Sequence, residues 1–113
     1  MLAMTTALLL SAWTPTDTAL EGAMVGLLAV DYAQTITIAR HPYRFYEKNP
    51  VLGKHPKERD VTRYFAAYAA THIAVAVILP PRWRRLWQAG GIGMQVYSVR
   101  NNVAWNISMS VPW

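Results

Sequence analysis

The chain alternates long apolar stretches with short polar breaks, and proline marks each break. Thr18 to Ile38 is apolar apart from polar positions that recur at helical spacing, Val61 to Leu79 carries no charge after Arg63, and a third stretch runs from Pro81 to about Trp105. Stretches of this length and period predict helices rather than strands. Thr18-Ala19-Leu20-Glu21 fits a capping box, in which hydroxyl and carboxylate satisfy amides that the first turn leaves open, so a first principal helix is predicted over 17–40. His41-Pro42 stops it, because the residue before proline is pushed out of helical space and proline donates no hydrogen bond. Asp60 reads as the N-cap of a second helix over 61–79, and Pro81 suits the first position of a third over 81–106. Residues 1–14 are apolar but too short to cross a bilayer and lack the basic residue and cleavage site of a signal peptide, which predicts a leader helix ended by Thr14-Pro15. The expectation is one all-α domain with three principal helices, a short N-terminal apolar helix and a polar connector at 41–60.

Each principal helix carries a polar stripe. Asp31, Gln34 and Thr35 share a face of the first helix; Tyr64, Tyr68, Thr71 and His72 share a face of the second; Gly91, Gln95, Ser98 and Asn102, beside Arg100 and Asn101, line the third. Composition bears on what these stripes face. The 113 residues are 53% hydrophobic and 15% charged, against about 25% charged in ordinary soluble domains, and mean hydropathy is held to +0.11 by arginine, tryptophan, tyrosine and proline. A soluble three-helix domain would have to hold most of the apolar residues in one small core with a high ratio of surface to volume. A small helical membrane protein escapes that limit, and in lipid its polar stripes turn toward one another, since an amide facing hydrocarbon has no partner. Trp13, Trp83, Trp87, Trp105 and Trp113 fall near segment ends, where amphipathic rings favour the bilayer interface. Gly90, Gly91 and Gly93 lack the strand and spacing of a phosphate loop and predict a close helix approach. The chain has no cysteine, hence no disulfide and no thiolate metal site.

The net charge of +5 is unevenly placed, with seven basic residues from Arg40 to Arg63. This predicts a cytoplasmic connector under the positive-inside rule, with anionic headgroups of a bacterial inner membrane as its partner. Arg82, Arg84 and Arg85 then lie at the opposite end, in conflict with the rule, unless the second helix does not fully cross or the second and third helices form a re-entrant or interfacial hairpin that brings both basic loops to one leaflet. A nucleic-acid partner is not expected, since no recognition motif accompanies the charge.

Asp31 is the foremost site candidate, because a carboxylate inside an apolar helix costs about 2.5–3.5 kcal/mol to insert. It can pair with Arg100 or His72 and merely fix packing. If instead Asp31, Glu47 and His72 converge, a buried carboxylate beside an imidazole can exchange protons, with Asn49, Asn101 or Asn102 orienting a substrate oxygen. Two carboxylates and an imidazole can also hold a divalent metal with one position open. Blander readings stand beside these: His72 as a hydrogen-bonded packing residue, Tyr64 and Tyr68 as core or interface aromatics, and Glu47 accepting amides within the Asn49-Pro50 turn.

The runs Asp31-Tyr32-Ala33-Gln34-Thr35, Ile38-Ala39-Arg40-His41-Pro42 and Glu47-Lys48-Asn49-Pro50-Val51-Leu52-Gly53-Lys54-His55-Pro56, followed by Tyr64-Phe65, resemble a group of small uncharacterised proteins from bacteria and their phages. They are more distantly similar to a domain of unknown function in which an Asp and a Thr in one apolar helix precede a Glu-x-Asn-Pro turn. The resemblance covers roughly Asp31 to Arg85 and the Asn101-Asn102 pair, and its most specific part is the connector motif with Glu47, Asn49, Pro50, Gly53, His55 and Pro56. It implies membership and no activity. Two functions are expected. The favoured one is a noncatalytic membrane component, whether subunit, assembly factor or phage-related product. In it Asp31, Gln34, Thr35, Tyr68, His72, Gln95, Arg100, Asn101 and Asn102 form a packing cluster, and the connector meets a protein partner or a second copy. The alternative is a membrane-embedded enzyme or metal protein using Asp31, Glu47 and His72.

Overall fold

The computed structural model describes residues 13–112, so nearly all of the predicted leader helix, and Trp113, lie outside the described residues. Among these residues there are three helices and no strand: α1 (Pro15–Arg40), α2 (Glu58–Ile78) and α3 (Pro81–Ala104). α1 starts earlier than Thr18. Thr14 caps it, with Thr14 Oγ1 accepting from Asp17 N at 3.2 Å and Asp17 Oδ2 accepting from Thr14 N at 2.9 Å. Two Thr-x-x-acid signatures compete here, and the one followed by Pro15 wins because proline's missing amide costs nothing in the first turn. Glu21 is thereby released from the predicted capping role and turns inward, where it is buried. Asp60 is likewise not a cap: Lys57 precedes the helix without a side-chain cap bond, and Asp60 sits in the first turn of α2, where a negative charge complements the helix dipole.

The ends fixed by proline fall where the sequence puts them, with His41 closing α1 and Pro81 opening α3. Past α3, Asn106 adopts a left-handed φ of 59°, a conformation that asparagine tolerates better than most residues. The tail then folds back on the end of α1, where Ser110 N donates to Ala33 O at 2.8 Å and the Thr37 hydroxyl lies 2.6 Å from Ser108 O. Arg40 bonds both Glu58 and the Val111 carbonyl, tying the tail and the start of α2 to the same helix end.

The bundle measures 54 × 24 × 24 Å. α1 and α3 run parallel, with α2 antiparallel to both. In α1 the positions Asp17, Glu21, Met24, Leu28, Asp31 and Thr35 step alternately by four and three; in α3 so do Arg84, Gln88, Gly91, Gln95, Ser98 and Asn102, and the bonded pairs Asp17–Arg84 and Glu21–Gln88 share an offset of 67. Such alternation is the seam of a coiled coil, normally filled by apolar side chains. Here it is largely polar. Its apolar complement lies between α1 and α2, where Leu28, Ile36, Val61 and Phe65 form the core and Tyr32 packs edge-on against Phe65. Of the three glycines in α3 only Gly91 sits at a close approach: a Cβ there would lie 2.5 Å from His72 Nε2, while Gly90 and Gly93 face open space.

Candidate functional site

The seam gathers the polar side chains into two centres. The first lies where α1 and α3 begin. Arg84, fully buried, donates from Nη1 to Asp17 Oδ2 at 3.0 Å, from Nε to Ala76 O at 2.6 Å and from Nη2 to Leu79 O at 3.1 Å. Arg85, half exposed, reaches Asp17 Oδ1 at 3.0 Å. One turn further in, Glu21 Oε2 lies 2.7 Å from His72 Nδ1 and Glu21 Oε1 accepts from Gln88 Nε2 at 3.2 Å, while Gln88 also reaches Asp17 O. His72 is clamped from its other side by Trp87, which stacks on it at 4.8 Å and donates its indole N–H to His72 O at 3.0 Å. His72 Nε2 has no hydrogen-bond partner and points at Gly91.

The second centre lies toward the connector. Asp31 Oδ1 accepts from Asn102 Nδ2 at 3.1 Å, and the same amide group donates to Gln34 Oε1 at 2.9 Å. The Thr35 hydroxyl bonds back to Asp31 O at 2.8 Å. Above these residues the connector folds into a turn: Glu47 Oε1 accepts from the amides of Lys48 and Asn49, Asn49 Oδ1 accepts from Val51 N, and Asn49 Nδ2 donates to the Tyr64 hydroxyl at 2.8 Å. Gly53, with φ of 80°, completes the turn in a conformation that other residues adopt only with strain. Between turn and bundle lies a cavity of about 270 Å³ whose lining includes Asp31, Glu47, Tyr64, Tyr68, Gln95 and Asn102.

The predicted stripes of the three helices thus meet at this cavity, but the predicted trio does not form. Asp31 and Glu47 line the cavity together. His72 does not join them; it pairs with Glu21, ten residues before Asp31 in α1, which at 1.5 Å per residue sets the two centres about 15 Å apart along the axis. A shared proton relay or ligand set works at hydrogen-bond reach, so the grouping of Asp31, Glu47 and His72 as a catalytic or metal centre is corrected. Among the described residues no group of three His, Cys, Asp or Glu side chains is placed to hold a metal ion. Arg100 is exposed and takes no part in the Asp31 network. Asn101 lines the cavity and accepts from Lys48 Nζ at 3.5 Å. In the motif, Glu47 and Asn49 build the turn, Pro56 is buried beneath it, and Pro50 and His55 are exposed. Trp87, expected as an interfacial anchor, is a packing partner of His72.

Asp17, Glu21, Arg84 and Gln88 went unrecognised as site residues. The signal was present: continuing the Asp31 stripe backward at helical spacing leads to Glu21 and Asp17, and continuing the Gly91 stripe backward leads to Gln88 and Arg84. Comparison of the chain with family models, curated proteins and solved structures gives no match.

Proposed function

We propose that the protein is a small noncatalytic integral membrane protein of a bacterial inner membrane, a subunit or assembly factor with its connector end on the cytoplasmic side. The observation that carries this reading is the inversion of polarity between inside and outside. Among the described residues ten buried side chains are polar or charged against eight that are apolar, whereas Ile78, Leu86, Met94, Tyr97 and Val103 are each more than half exposed. In water that arrangement leaves a large apolar surface without cover; in lipid the apolar exterior is covered and the polar side chains stay inside. α1 and α2 are each long and apolar enough to cross a membrane, and α3, with 24 residues, is about 36 Å long and carries its amides inward.

The charge conflict has a physical resolution within this reading. α2 and α3 run the length of the bundle, which leaves no need for a re-entrant hairpin, and of the three arginines after Pro80 two are bonded to Asp17. Lys54, Lys57, Arg59 and Arg63 stay exposed on the connector side, suited to anionic headgroups.

The chain lacks cysteine, so single-cysteine labelling tests the reading directly. The protein is expected to stay with membranes through alkaline carbonate extraction. An impermeant thiol reagent is expected to label Arg82→Cys from outside intact cells and Lys54→Cys only after the cytoplasmic face is opened. Recovery in the carbonate supernatant would overturn the membrane placement, and labelling of both cysteines from one side would overturn the topology.

A further inference from the structure

The cavity beneath the connector turn has an excess of hydrogen-bond acceptors. Both side-chain bonds to the Asp31 carboxylate fall on Oδ1, and both amide bonds to Glu47 fall on Oε1, so each carboxylate keeps a second oxygen for other use. Gln95, only 5% exposed, lines the same cavity, and its Oε1 has no partner. A buried acceptor left unpaired is costly unless something donates to it. The lining also includes the rings of Tyr64, Phe65 and Tyr68, surfaces that attract a cation through their faces.

We propose that this cavity binds a primary ammonium group carried on a small organic molecule, with Asp31 as its counter-ion and Gln95 Oε1 as a second acceptor. An ammonium presents three N–H donors and no acceptor, which complements the second oxygens of Asp31 and Glu47 and the amide oxygen of Gln95. At about 270 Å³ the cavity lies just below the range of drug-sized ligand sites and is far larger than a bare metal ion requires, so the ligand is an amino alcohol or a group of similar size. A divalent cation is disfavoured because the lining supplies only two carboxylates, whereas calcium takes six to eight oxygens and magnesium near-octahedral ones; the Lys48 ammonium of the lining is held by Asn101 Oδ1 at 3.5 Å and the Trp105 ring. The same ammonium chemistry is offered by free ethanolamine and by the headgroup of an ethanolamine phospholipid. The proposal stands on the cavity alone and does not depend on the membrane placement.

Calorimetric titration of the detergent-purified full chain with ethanolamine tests it, with choline and magnesium as comparison probes. A parallel arm compares retention of phosphatidylethanolamine and phosphatidylcholine in lipid nanodiscs. Saturable ethanolamine binding is expected, with choline weaker by about tenfold or more because methylation removes the N–H donors. Asp31→Asn and Gln95→Leu are each expected to weaken binding by about tenfold, and Gln95→Glu to strengthen it. Selective retention of phosphatidylethanolamine with weak free ethanolamine binding supports the proposal and names lipid as the source; the reverse names a soluble amine. Equal affinity for choline, displacement of ethanolamine by magnesium, or no binding in either arm overturns it, and these wild-type comparisons decide even if a variant fails to fold.

Discussion

Glu21 of α1 and His72 of α2 meet across the bundle at 2.7 Å, and neither is exposed by more than a tenth. Glu21→Ala removes the acceptor for the imidazole and for the Gln88 amide together, and each buried donor left unpaired costs about 1–3 kcal/mol. A clear fall in the heat- or SDS-denaturation midpoint is expected, while Glu21→Leu combined with His72→Leu recovers part of it, since the imidazole orphan is removed and one Gln88 N–H stays without its acceptor. An unchanged midpoint in Glu21→Ala would show that the pair does not support the fold.

Gly91 should be the sensitive glycine of α3. Alanine there sets a methyl group 2.5 Å from His72 Nε2 and 3.1 Å from Met24 Sδ, an overpacking worth about 1–3 kcal/mol. Gly90→Ala and Gly93→Ala meet nothing, and alanine's helix preference stabilises them by up to about 1 kcal/mol. Denaturation midpoints of the three variants should therefore move in opposite directions.

The two arginines on Asp17 should separate cleanly. Arg85 is about half exposed, and loss of a pair of that kind costs at most about 1 kcal/mol. Asp17→Ala strips a buried counter-ion from Arg84, and disruption of a buried pair costs about 3 kcal/mol or more. If Arg85→Ala proves the more damaging when both are measured in one detergent, the assignment of Asp17 to Arg84 fails.

The connector turn should open locally rather than take the bundle with it. Asn49→Ala removes the acceptor for Val51 N and the donor to Tyr64, and Gly53→Ala forces a side chain into positive φ. Hydrogen exchange is expected to quicken at Lys48 to Gly53 in both variants with little change in α1 and α3. Uniform quickening across the helices would show that the turn is part of the global folding unit.

Helix ends written by proline, as at His41-Pro42 and Pro80-Pro81, were legible because proline acts on its immediate neighbours whatever the rest of the chain does. The convergence of Asp31, Tyr64, Tyr68, Gln95 and Asn102 was legible for a related reason: helical spacing puts them on single faces, and polar faces in an apolar chain turn inward. Glu47's turn was among the readings its local sequence allowed. What could not be read was partner choice. Thr18-x-x-Glu21 and Thr14-x-x-Asp17 both offer a cap by pattern; Pro15 favours the second, and the burial of Glu21 against His72, 51 residues away, takes the first out of use. Arg84 looked like one of three loop arginines until α3 was laid beside α1, and His72 was matched to the wrong carboxylate because depth along the bundle is set by the register of α2, which no local motif states.

That register has a consequence for how the protein is made. The acids of α1 are translated well before their hydrogen-bond partners: Asp17 waits 67 residues for Arg84, and Asp31 waits 71 for Asn102. On the membrane reading, α1 therefore leaves the translocon as an incomplete object, and α3, the most polar of the three helices, enters by docking onto acids already held in place. A chain interrupted before α3 would therefore hold Asp17, Glu21 and Asp31 without the Arg84, Gln88 and Asn102 that bond them.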